Sequence, residues 1–236
     1  MPQLGAFVTN LGKYNEGTLA GEWLHLPAET EEVQALLKRI GVDGVRYEEI
    51  FITDYESDLP GLTGRLGEYE SIDELNHLAH VLDDLDKSDL EKYEAVLDMG
   101  EYTGSVKNLI NLAQNLDCFE YYPGITNGEE LGRMYIEDFE ALQIPEHLID
   151  YIDYEAYGRD VRINEGGYFA DNGYVMNNNS RFVELYSGRD DIPEEHCIFA
   201  YPQLNIREQM AAYKEVIDRS ALDTDKHRGS PAYKER

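Results

Sequence analysis

SIDELNHLAHVLDDLDKSDLEKYEAV, residues 71–96, contains two serine-x-x-glutamate pairs, Ser71 with Glu74 and Ser88 with Glu91. Each has the form of a capping box, in which the hydroxyl takes the third amide of a helix and the carboxylate reaches back to the cap. After the first pair, Leu75, Leu78, Ala79, Leu82 and Leu85 recur at helical spacing, and Leu109, Ile110, Leu112, Ala113 and Leu116 mark a later helix. The reading is a block of short helices with apolar faces inward and acids left outside. Residues 67–101 hold 12 acids against only Lys87 and Lys92.

On either side of this block the pattern is mixed. AFVTN and EWLHL are strand candidates; Val33, Leu36, Leu37 and Ile40 predict an amphipathic helix that stops at Gly41. YEEIFITDY reads as a third strand, with Tyr47, Ile50 and Ile52 as core candidates, and DLPGLTGRLG at 58–67 reads as a linker. Beyond Cys118, CFEYY is a strand and Leu131, Met134, Tyr135, Phe139 and Leu142 mark a helix. Pro145 is placed to open another helix. GGYFA and YVMNN flank Asn172-Gly173, a tight-turn dipeptide, and RFVELY closes the unit as a strand. The fold class expected is α+β, with divisions at 1–66, 67–117 (helical), 118–187 and an extension over 188–236.

The chain has 48 acidic and 20 basic residues, a formal net charge of −28. Residues 1–187 carry 38 acids and 12 bases, and residues 188–236 carry 10 and 8. Such a balance repels nucleic acid and anionic membranes and favours basic partners, so neither nucleic acid nor membrane is expected as a partner. MPQLGAFVTN has no basic stretch leading into an apolar run, and Cys118 and Cys197 lack disulfide-framework or CxxC spacing. The expectation is a cytoplasmic protein with reduced thiols.

Candidate chemistries are sparse. Glu74-x-x-His77 with His80 resembles half of a helical di-metal site, but no second copy occurs, so no metal is expected. The run from Asp84 has acids at loop positions 1 and 3 but no glycine at 6 and Ala95 at 12, so it is not an EF-hand. Gly61, Gly64 and Gly67 lack the following Lys-Ser/Thr of a phosphate loop. Asp83 with Asp84, or Glu129 with Glu130, could serve a hydrolase as acid and base, yet with 48 carboxylates chance supplies such pairs. Cys118 has no base nearby in sequence, and Asn178 opens a glycosylation triplet without meaning in a cytoplasmic chain. No cofactor is called for.

What remains is charge. Duplex DNA presents one negative charge per ~1.7 Å, so −26 spread along an elongated body would match roughly 44 Å of duplex. NLGKYNEG (10–17), GEWLHLP (21–27), DYE (54–56), YESIDELNHLA (69–79) and LIDYIDYEAYGRD (148–160) together resemble, in order across residues 3–186, the ArdA antirestriction family. The resemblance implies an elongated array of three small domains that forms a homodimer and imitates bent B-form DNA in the groove of type I restriction-modification enzymes, at their methyltransferase core. It also implies inhibition and not catalysis. The alternatives are an acidic scaffold for another basic DNA-binding protein and an acid-base hydrolase.

Under the resemblance, residues 151–160 match the antirestriction motif associated with dimer contact. Tyr151, Ile152, Asp153, Tyr154, Ala156, Tyr157, Gly158, Arg159 and Asp160 are then interface candidates, with the three tyrosines supplying rigid aromatic area. A packing role for the same rings stays open. The acids expected to imitate phosphates are Asp54, Glu56, Glu68, Glu70, Asp73 and Glu74, then Asp83, Asp84, Asp86, Asp89, Glu91, Glu94 and Asp98, and finally Glu129, Glu130, Glu137, Asp138 and Glu140. The near-neutral segment after residue 187 exceeds the family pattern. It predicts a helix around IREQMAAYKEVI and a disordered finish over 223–236. Its role is open between covering the third domain, altering partner choice and none.

Overall fold

The structure, a computed structural model, describes residues 3–228. It is α+β, with two small three-stranded antiparallel sheets and helices between and after them. The chain forms two compact units. One contains Leu4–Glu56, Gly67–Asn76 and the chain from Glu194 onward; the other contains Gln3, Ser57–Leu66 and His77–Pro193.

In the first unit β1 (Leu4–Asn10), β2 (Gly21–Leu26) and β3 (Ile50–Ser57) lie in the order β2-β1-β3. Leu4 faces Leu26 and Thr9 faces Gly21 across the β1–β2 pair. A short helix, α1 (Leu11–Asn15), follows β1 because the Asn10 side chain accepts the Lys13 amide. The next helix, α2 (Thr30–Ile40), buries Val33, Leu36, Leu37 and Ile40 and ends on left-handed Gly41 at φ 80°. Its start is a reciprocal cap between Glu29 and Glu32, a carboxylate serving where a hydroxyl is commoner.

The second unit is built on α4 (Lys87–Met99), which follows α3 (Ile72–Asp83), and on α5 (Val106–Ala113). The division between the units falls inside α3, at Asn76 and His77. The sheet order is β4-β6-β5, from β4 (Phe119–Pro123), β5 (Tyr168–Ala170) and β6 (Gly173–Asn177). Between β4 and β5 come α6 (Gly128–Arg133) and α7 (Tyr154–Glu165). Tyr174 is fully buried on Leu131 and Met134, with Tyr122, Val161, Phe169 and Met176 around them. Its hydroxyl and that of Tyr135 both donate to Glu165, at 3.2 and 2.5 Å, so burial and this carboxylate raise both tyrosines above their ordinary range.

Several local expectations are corrected. Residues 58–67 are not a linker: Leu59 and Leu62 are buried, Thr63–Arg65 forms a 3-10 turn, and Arg65 donates to the Leu97 carbonyl at 3.0 Å. Asp86, not Ser88, caps α4, because its side chain accepts the Asp89 amide at 2.9 Å and the helix begins earlier. The helix that Pro145 opens is a 3-10 segment over Glu146–Tyr151, and it does not carry the 151–160 stretch, most of which lies on α7 with Asp153 as its cap. In the hairpin Ala170 pairs with Gly173, so Asp171 and Asn172 make the turn. Gly173 joins the strand, where a Cβ would lie 2.6 Å from the Tyr121 ring.

RFVELY joins neither sheet among the described residues. Asn111 on α5 accepts the Leu185 and Tyr186 amides at 2.7 and 3.0 Å and donates to the Tyr186 carbonyl at 2.7 Å. Asn115 accepts and donates to Val183, both at 2.9 Å. Two buried amides thus satisfy the segment as a neighbouring strand would.

The segment after residue 193 packs on the first unit. The Ile198 and Phe199 amides donate to Asp73, each at 2.7 Å, and the Tyr201 hydroxyl donates to the Glu48 carbonyl. The last helix, α8 (Ile206–Arg228), runs through the first part of the expected disordered finish. Residues 229–236 lie outside the described residues.

Candidate functional site

The motif at 151–160 sits where α6 and α7 cross. A Cβ on Gly158 would lie 2.0 Å from the Gly128 carbonyl oxygen and 2.6 Å from the Gly132 amide; one on Gly132 would lie 2.0 Å from the Tyr154 carbonyl oxygen. The backbones touch, which only three glycines in register permit. Gly128-x-x-x-Gly132 places two glycines one turn apart on the same face.

This crossing sorts the motif side chains. Tyr154 is 7% exposed, and the Arg133 guanidinium stands over its ring at 4.3 Å. A hydrogen bond to Glu137, then burial, raises its hydroxyl above the ordinary tyrosine range. Tyr151 is 84% exposed on the other side of the Asp153 cap. Ile152, Ala156 and Tyr157 are half-buried, Gly158 is buried, and Asp153, Arg159 and Asp160 are exposed. The three tyrosines therefore do not form one surface: Tyr154 is core, Tyr151 is free surface, and Tyr157 lies between. A cavity of about 390 Å³ lies between α6 and the chain over 149–155, lined by Glu129, Arg133, Ile149, Asp150, Ile152 and Glu155 among others. Along residues 139–149, Phe139, Leu142, Leu148 and Ile149 are exposed.

The acids also sort. Asp54, Glu56, Glu68, Asp84, Asp86, Glu129, Glu137, Asp138 and Glu140 are exposed; Glu70, Asp73, Asp83, Asp89, Glu91, Glu94, Asp98 and Glu130 are half-buried; Glu74 is buried. Some have internal employment. Asp73 holds the Ile198 and Phe199 amides, and Glu130 accepts the Thr126 amide at 2.7 Å, which lowers its pKa. Arg133 pairs with Glu129 at 3.0 Å and Glu137 at 3.3 Å, and Lys87 with Glu91 at 3.4 Å.

One group is held against its own repulsion. On α4, burial and then the charges of Asp98, Asp171 and Glu91 raise the pKa of Glu94; burial and Asp171 raise that of Asp98, against a lowering by Arg65. Asp171 comes from the β5–β6 turn. Burial together with Glu91 and Glu94 also raises the Tyr121 hydroxyl. Like charges are thus fixed side by side on a capped helix packed against a sheet.

Among the described residues no group of three or more His, Cys, Asp or Glu is placed to hold a metal ion. His77 packs on Tyr186 at 5.3 Å, and Cys118 is buried, with burial raising its thiol. No helix among the described residues is long and apolar enough to cross a membrane.

The model of the family described as Antirestriction protein (ArdA) matches residues 6–176. The chain belongs to the ArdA antirestriction family. No curated protein gives a significant match. ArdA proteins are inhibitors whose function is antirestriction through restriction-modification enzymes. The matched ArdA region spans both sheets, the α4 acids and the whole 151–160 motif, and it ends before the Asn-paired segment and α8.

Sequence reasoning missed the glycine crossing, although Gly128, Gly132 and Gly158 were all visible. It also missed Asp171 as a member of the α4 cluster, because only the hairpin brings that residue across.

Proposed function

We propose that the chain inhibits type I restriction-modification enzymes by occupying, as a homodimer, the groove that holds duplex DNA at their methyltransferase core. Its carboxylates stand in for backbone phosphates. The observation that carries this reading is the group of Glu91, Glu94, Asp98 and Asp171 on packed elements, where neighbouring charges add to burial in raising the pKa of Glu94 and of Asp98. Repulsion of this kind works against the fold and serves a partner that supplies the missing cations. Family membership names the class of that partner.

The exposed apolar segment running from Phe139 through Leu142, Leu148 and Ile149 to Tyr151 supports dimerisation at the motif.

Binding by a distributed field has a signature that binding by one indispensable group lacks. Converting Glu91, Glu94, Asp98 and Asp171 singly and then together to amides is expected to weaken inhibition of a type I enzyme stepwise, with smaller steps in high salt. Complete loss at one position with silence at the other three would overturn the proposal.

A further inference from the structure

The two faces of α8 meet different surroundings. Its inward face is tied to the first unit: Glu208 pairs with Lys38 at 3.7 Å, Glu215 pairs with Arg46, and Arg219 pairs with Glu16 at 2.6 Å and donates to the Tyr47 hydroxyl at 3.2 Å. Ala212 is buried on the same face. The outward face carries Ile206, Met210, Tyr213 and Ile217, between 56% and 81% exposed. Their spacing of four, three and four is that of a coiled-coil seam. The seam lies beyond residue 176, where the family match stops.

We propose that this seam pairs with the same seam of a second copy, the two helices running antiparallel. The stripe is its own complement when reversed. Centred between Ala211 and Ala212, antiparallel pairing sets Ile206 against Ile217 of the second copy and Met210 against Tyr213, and the two-fold axis repeats both layers. Charge points the same way. Two bodies of net charge −28 repel wherever their acids face outward, but here Glu208 and Glu215 are turned inward and paired. The exposed flank instead holds Arg207, Lys214 and Asp218, so the border of the seam carries no excess of acid. Four side chains per copy along roughly 17 Å of helix fall short of a standard interface of about 800 Å² per partner. The contact is therefore weak alone. It does not depend on how the chain acts on restriction enzymes.

The test is sedimentation of the full chain over a concentration series, in a Tyr151→Ala background that weakens association expected at the motif. The Met210→Glu/Ile217→Glu variant is expected to bind itself at least about tenfold more weakly than its parent, with the same melting temperature because all four side chains are exposed. In a Cys197→Ser background, mild oxidation of mixed Met210→Cys and Tyr213→Cys copies is expected to cross-link them faster than Met210→Cys copies alone. The proposal is overturned if the glutamate variant self-associates like its parent, if the mixture cross-links no faster, or if the stripe binds a different protein while copies of the chain stay apart.

Discussion

Gly158→Ala puts one methyl group where two helix backbones touch. The new carbon would lie 2.0 Å from the Gly128 oxygen and 2.6 Å from the Gly132 nitrogen, and carbon contacts below 3.0 Å are essentially never seen, so α6 and α7 must part by about 1 Å. Both obstacles are backbone atoms inside a helix and cannot rotate away. Two terms compete. Alanine is favoured over glycine in a helix interior by about 1 kcal/mol, whereas overpacking of a tight contact costs about 1–3 kcal/mol or more, here with Tyr154 and Arg133 displaced as well. The clash wins, with a net loss of about 1–2 kcal/mol, which for a chain of this size lowers the melting temperature by about 2–8 °C. The assay is thermal and urea unfolding beside Gly104→Ala, which meets nothing within 4 Å and is expected to be neutral. A Gly158→Ala protein as stable as the parent, or stabilised by the helix-propensity gain, would refute the crossing.

Asn111→Ala removes three hydrogen bonds to residues 185 and 186 and leaves buried amides unsatisfied. A loss of about 2–4 kcal/mol is expected, and hydrogen exchange should be faster at Leu185 and Tyr186 than elsewhere. Tyr151→Ala is expected to weaken self-association with no change in melting, and Tyr154→Ala to lower the melting temperature; the reverse pattern would contradict the placement of the two rings. Glu94 and Asp98 have raised pKa values in the folded chain, so stability tied to them is full below the ordinary carboxylate pKa and is lost as pH rises through the raised values. Glu94→Gln should therefore stabilise the protein at neutral pH by about 0.3–1 kcal/mol, and the gain should vanish below about pH 4. Melting curves in which the substitution destabilises at neutral pH would show that the repulsion is absent.

Periodicity alone made some elements legible. The buried stripe of α2 and its stop at Gly41 follow from spacing and a left-handed glycine, and AFVTN and EWLHL fall in the paired strands β1 and β2. Signals that compete locally were harder to rank. Ser88 and Asp86 both offer a cap for α4, and the earlier one wins because its carboxylate reaches the Asp89 amide. RFVELY alternates like a strand, but its partners are two asparagine side chains some 70 residues away, which no local pattern announces. Asp73 and Glu74 sit on a helix end where acids normally face water. The chain near Ile198, more than 120 residues on, claims the first of them. The motif itself was recognisable, but its division into a buried Tyr154 and an exposed Tyr151 depends on the glycine crossing.

DNA mimicry requires that the chain take the place of duplex DNA. A labelled duplex bound to a purified type I methyltransferase core, titrated with the chain at low and at high salt, measures this directly. The proposal predicts that the duplex is released as the chain binds, with none remaining in the complex, and that the chain's own affinity falls as salt rises. A complex holding both duplex and chain, or inhibition with the duplex still bound and no dependence on salt, would contradict it.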